Sequence, residues 1–167
     1  LHSLRRRQRQ MCIRDRPYSE QFYIGGANSI RAFTIRSLGP GSYRPPADDR
    51  NGYLDQTGDF KLEANIEYRF GIMGRLNGAV FLDAGNIWLL KKDPKRPGAE
   101  LKWKGFLNDI ALGTGFGLRY DMSYLVIRAD LGIGLHTPYP NPDKKGYYNI
   151  SSFKDGLGFH LAIGYPF

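Results

Sequence analysis

A single cysteine, Cys12, stands among 167 residues, so no disulfide can form within the chain and paired-thiol chemistry is closed to it. The three histidines, His2, His136 and His160, have no cysteine or carboxylate cluster near them at metal-ligand spacing, and no serine sits in a G-x-S-x-G elbow. The glycine string from Gly113 to Gly117 lies inside an alternating pattern instead of opening a helix, so it carries no weight as a phosphate loop. Catalysis, a metal and a cofactor are therefore not expected. There is also no run of about 18 apolar residues, which excludes a transmembrane helix but says nothing against a membrane strand.

What the chain does have is 21 glycines, 10 prolines and 14% aromatic residues, a composition suited to strands joined by many turns. The clearest strand is Gly58 to Phe70. Phe60, Leu62, Ala64, Ile66, Tyr68 and Phe70 alternate with Asp59, Lys61, Glu63, Asn65, Glu67 and Arg69. A period of two gives one apolar face and one charged face. The pattern recurs near 75–88, 109–121, 124–135 and 157–167. No apolar-phase position in these stretches carries a charge, whereas the opposite phase holds Arg75, Asp83, Asp109, Arg119, Asp121, Arg128 and Asp130.

A charge facing lipid costs about 2–4 kcal/mol at the membrane midplane, so a face this clean is what a bilayer selects. The expectation is an all-β, antiparallel, up-and-down transmembrane barrel with outer-membrane lipid against the apolar phase. A soluble sandwich also alternates and is the competing reading. The inward phase is small as well as polar, with Gly113, Gly115, Gly117, Gly132, Gly134 and Gly158. Such residues leave room for something else in the interior or permit strong bending. Small membrane barrels begin at about eight strands. Five or six strands therefore cannot close one alone: either the chain is a portion of a larger barrel, the favoured reading, or several copies combine.

Leu1 to Arg16 has no alternation and holds six arginines against one aspartate. A basic arm for nucleic acid or a membrane surface is one reading. The segment is better matched by translated adaptor sequence, is no secretory signal, and is set aside as non-native or disordered; no nucleic-acid partner is expected. Residues 17–167 form the expected barrel portion. Within it, Gly25-Gly26 breaks a strand and permits positive φ, and Arg31 lies one residue before the pair Ala32-Phe33 in a segment poor in charge. Thr34 to Thr57 reads as a long loop.

The connections near 71–74 and 121–123 are short, whereas those near 89–108 and 136–156 are long, basic and rich in proline and glycine. Outer-membrane barrels alternate short periplasmic turns with long external loops. This order sets the C-terminus at the periplasmic end and Trp88 and Tyr139 near the external aromatic girdle.

The stretch FYIGGANSIRAF, within 21–33, resembles the sixth-loop motif of the outer-membrane assembly factors BamA and TamA and their surface-antigen relatives. GDFKLEANIEYRF, AVFLDAGNIW, GTGFGLRYD and the terminal FHLAIGYPF follow in that family's order. The resemblance implies the last strands of a barrel of about sixteen, with TamA-like lipoproteins of Bacteroidetes type as the nearest relatives. It further implies that Arg31, framed by Gly25, Gly26 and Phe33, folds into the lumen and is held by Glu67 and Asp83. A buried guanidinium needs carboxylate partners. Ala32 departs from the family's usual glycine.

In the last strand, Phe159, Leu161, Ile163, Tyr165 and Phe167 match the aromatic-ended signal by which barrels are recognised for insertion. Gly164 matches a kink glycine at a lateral seam where client strands pair by β-augmentation. The implied partners are nascent outer-membrane proteins, with a periplasmic POTRA region and accessory assembly subunits. The implied location is the outer membrane of a Gram-negative cell. The same barrel and loop also occur in two-partner secretion transporters and as the C-terminal part of patatin-type phospholipases. A passive porin gives no reason for the arginine and its acids.

Overall fold

The computed structural model describes residues 20–46, 56–139, 141, 148–150 and 156–164. Five strands are described: β1 (Phe60–Met73), β2 (Leu76–Trp88), β3 (Ala111–Asp121), β4 (Val126–His136) and β5 (Leu157–Ile163). They form one antiparallel meander in the order β1-β2-β3-β4-β5. A short 3-10 helix, Phe106–Asp109, lies in the β2–β3 connection. The architecture is all-β, as the alternation requires.

The sheet is inverted relative to a water-soluble one. On β1, Ile66 and Tyr68 are 68% and 71% exposed. On the opposite phase, Asp83 of β2, Arg119 of β3 and Arg128 and Asp130 of β4 are buried. Each strand keeps the period-two register with its neighbour, for example Asn65↔Asp83 and Asp83↔Gly113. The charged phase therefore forms continuous rows on one face. A one-residue slip would turn every charge onto the apolar face, so the register is strongly specified.

The inner face is covered by the chain's own N-terminal loop. Gly26 N–H donates to the Phe33 carbonyl at 2.8 Å and Arg36 N–H to the Ile24 carbonyl at 3.0 Å, closing residues 24–36 into a compact hairpin. Gly25 has φ +99°, and a Cβ there would stand 2.2 Å from the Thr34 carbonyl oxygen. Ile24, Ile30 and Leu38 of the loop pack with Ile87 and Ala111 of the sheet, flanked by Phe33 and Tyr139. This small apolar plug supplies the loop's hydrophobic adhesion.

One strand boundary and two aromatic placements differ from the sequence reading. β1 runs to Met73 where a turn at Gly71 was expected, because a register irregularity between Gly71 and Met73 lets the strand continue to a tight turn at Gly74-Arg75. Tyr139 is not at the girdle: it packs inward against the loop, its hydroxyl donating to the Ser37 carbonyl at 3.3 Å. Asn149 turns the chain back there, donating to the Thr137 and Tyr139 carbonyls at 2.7 and 3.0 Å. Trp88 keeps the outward phase opposite Phe60, but its ring is fully buried beneath Phe106, 5.0 Å between centroids.

Candidate functional site

The inner face of β1 and β2 presents Glu67 and Asp83, both too costly to bury without cations. The loop provides one. Arg31 Nε donates to Asp83 Oδ2 at 2.8 Å and Nη2 to Asp83 Oδ1 at 2.7 Å, a two-point fork. Its backbone N–H adds a third bond to Asp83 Oδ2 at 3.0 Å. The remaining Nη1 donates to Glu67 Oε2. The guanidinium also lies 3.6 Å over the centre of the Phe81 ring, within cation–π range. Arg31 is completely buried, so each of these contacts replaces water that the group has lost.

Glu67 is the hub of a longer chain. Arg119 on β3 donates to it through Nε and Nη2 at 3.1 and 2.9 Å, and Arg69 Nε at 2.6 Å. Arg119 Nη1 reaches Asp130 of β4 at 2.7 Å, and Asp130 lies 3.6 Å from Arg128. Arg128 closes the line by donating to Asn28 in the loop. Asn65 bridges loop and sheet as well, donating to the Ser29 carbonyl at 2.9 Å and to Asp83 Oδ1 at 3.1 Å. The loop is thus held at Ser29, Arg31 and Asn28 by one network spanning four strands.

Beside the network, glycines make the bed on which the loop lies. A Cβ on Gly132 would meet the Arg31 carbonyl oxygen at 2.5 Å and the Ala32 Cα at 2.6 Å. One on Gly113 would meet the Ala32 Cβ at 2.4 Å, and one on Gly134 the Phe33 ring at 3.0 Å. The small inward residues therefore make room for the loop itself. Ala32, where glycine was expected from the resemblance, is 4% exposed and is not among the residues of positive φ. The missing side chains of Gly113 and Gly132 leave space for its methyl group.

Arg31, Glu67 and Asp83, singled out in the sequence, meet in one cluster, while Gly25, Gly26 and Phe33 shape the hairpin that delivers the arginine. Arg119, Asp130, Arg128, Asn65 and Asn28 belong to the same arrangement and were not singled out. A signal for them existed: the short β3–β4 turn sets Arg119 directly opposite Arg128. Like charges in that position require shared acids. On β5, Phe159, Leu161 and Ile163 point outward and are 67%, 70% and 76% exposed. Gly164 has φ +102° and ends the strand. Tyr165 and Phe167 lie outside the described residues, as does the 1–16 segment.

Outside the sheet, burial pushes the Tyr139 hydroxyl above its usual range. The Arg96 guanidinium and the Lys95 N–H hold the Asp93 carboxyl below its own.

Residues 9–167 match the family model described as the Omp85 superfamily domain. The chain is also similar to "Outer membrane protein assembly factor BamA" of Nitratidesulfovibrio vulgaris, 31% identical over 113 residues. That match covers 62% of this chain and 13% of the relative, so the chain spans a small part of the relative's length.

Proposed function

The chain belongs to the Omp85 superfamily, and from that premise we propose that it serves as part of an outer-membrane assembly module of BamA/TamA type. In this reading it sits in the outer membrane of a Gram-negative cell and helps insert client β-barrel proteins. It does so without covalent chemistry, by offering strand edges for pairing. The observation that carries the reading is the inverted sheet with Arg31 locked onto its charged face. An apolar outer face requires lipid. A passive pore has no need of a loop fixed inside it by so many ion pairs.

The seam is read from β5. It is an edge strand of the described sheet, only seven residues long, and Gly164 bends the chain directly after it. A short edge strand is suited to β-augmentation by a client strand. The POTRA region, accessory subunits and a placement beside TamA-like lipoproteins of Bacteroidetes type belong to the same proposal and rest on the order of the motifs.

The test is photo-crosslinking in the full-length protein, with the reactive residue at Leu161 on β5 and, as a control, at Phe116 on central β3. The reading expects client outer-membrane proteins, caught during their assembly, at Leu161 only. Equal yields at both positions would remove the seam. Recovery of one dedicated exported protein would make the chain a secretion transporter instead.

A further inference from the structure

Between β2 and β3 the chain makes a basic excursion whose far arm folds back over the outward face. Phe60 and Trp88 oppose each other across β1 and β2 and therefore share that face, with ring centroids 6.0 Å apart. Phe106 stacks on Trp88 at 5.0 Å, and Trp103 follows at 6.2 Å from Phe106. The four rings form a ladder that starts on the apolar face of the sheet and climbs off its end. The arm is fixed in place. Leu89 N–H donates to the Ala99 carbonyl at 2.8 Å, Leu101 N–H to the Leu89 carbonyl at 3.0 Å, and His136 Nε2 lies 2.9 Å from the Asn108 carbonyl.

The end of this ladder is not covered. Trp103 is 85% exposed and Leu107 71%, unusual for large apolar side chains held on a fixed backbone. Lys102 and Lys104 flank Trp103 in the sequence, and the excursion from Lys91 to Asp109 carries six cations against three acids. Asp93 pairs with Arg96 at 2.9 Å and Glu100 with Lys102 at 3.0 Å, the Lys102 side chain staying more than half exposed so that its ammonium keeps donors for a further anion. An exposed indole with lysines beside it, continuous with a lipid-facing surface, has the chemistry of a membrane interface.

We infer that the Trp103–Leu107 arm lies in the headgroup layer at the external end of the sheet and docks phosphate-bearing lipids, Trp103 and Leu107 entering the apolar boundary while Lys102 and Lys104 meet the phosphates. This rests on the reading that the outward face of the sheet meets lipid. The ladder explains why a loop should carry Phe106 at all: it ties the arm to Trp88 and so fixes its depth. Long lysine stems can lie along apolar surface while their ammonium groups reach the phosphate plane. Anionic surfaces attract such groups over about a Debye length.

The experiment uses the full-length protein in vesicles of phosphatidylcholine, with and without phosphatidylglycerol, containing lipids brominated either near the headgroup or deep in the acyl chain. The Trp103 signal is the difference between wild type and Trp103→Phe. The expected result is quenching by the shallow bromines, at least two-fold stronger than by the deep ones, and stronger again with phosphatidylglycerol. Lys102→Gln with Lys104→Gln should abolish that last increase. A Trp103 signal untouched by either bromine, or insensitive to phosphatidylglycerol, overturns the inference. Ile66→Trp separates the two levels of argument. If it is quenched by the deep bromines while Trp103 is quenched at neither depth, only the docking arm fails; if neither residue is quenched at all, the membrane reading fails with it.

Discussion

The carbonyl oxygen of Arg31 lies 2.5 Å from the point where a Cβ on Gly132 would stand, so the loop and the sheet touch backbone to backbone. Two polar backbones meet this closely only where a side chain is missing. Gly132→Ala is accordingly expected to lift the loop while leaving every charged partner in the sequence. Overpacking of this kind costs about 1–3 kcal/mol. The measurement is limited trypsin digestion after Arg36 in the full-length protein in membranes: faster cutting in Gly132→Ala is expected. Wild-type resistance would show that the bed is not needed.

The Arg31–Asp83 fork makes a different demand. Removing one partner from a buried pair leaves an uncompensated charge, at a cost of about 3–5 kcal/mol. Arg31→Ala and Asp83→Ala should each release the loop and raise its protease sensitivity and, on the proposed function, impair assembly of client barrels. Arg31→Lys is expected to rescue poorly, because a single ammonium cannot make the fork to both Asp83 oxygens and reach Glu67 as well. Loop cleavage and client assembly together check this, and full activity of Arg31→Lys would reduce the site to a simple charge contact.

Glu67 separates a network from a surface pair. It accepts from Arg31, Arg69 and Arg119, so Glu67→Gln would leave three guanidinium groups facing one another. Glu63, four residues earlier on the same face, pairs with the partly exposed Lys61. Such pairs contribute about 0–1 kcal/mol. Heat-induced unfolding followed by gel mobility should show Glu67→Gln clearly lowered and Glu63→Gln close to wild type. Equal shifts would mean that the network has no cooperative weight.

Much of this arrangement could be read from the chain because strand periodicity is local. The alternation from Phe60 to Phe70 assigns each side chain a face without reference to any other strand. The loop's bed could not be read that way. Gly113, Gly132, Gly134 and Gly158 are spread along the sequence, and only the registers Gly113↔Gly134 and Gly132↔Gly158 bring them together under the loop. Tyr139 misled for a related reason: an aromatic after an apolar strand suits a girdle, but the hydrogen bonds of Asn149 turn that segment inward. The Arg119–Asp130 link likewise depends on a register set by the short turn, although Arg119 and Arg128 were visible as inward charges.

The sharpest prediction distinguishes lipid from water at Ile66. In a soluble protein a residue 68% exposed tolerates arginine with little change, because the side chain already meets solvent. On a lipid-facing strand the same substitution buries a cation in hydrocarbon, at about 2–4 kcal/mol near the midplane and much less toward the interfaces. Ile66 lies near the middle of β1, whereas Ile72 lies near its end. The expected order is therefore a strong loss of folded barrel for Ile66→Arg, a weak one for Ile72→Arg and none for Ile66→Val, measured as the heat-modifiable fraction recovered in outer membranes. A depth gradient of this kind has no counterpart in a water-facing sheet, where both arginines would be neutral.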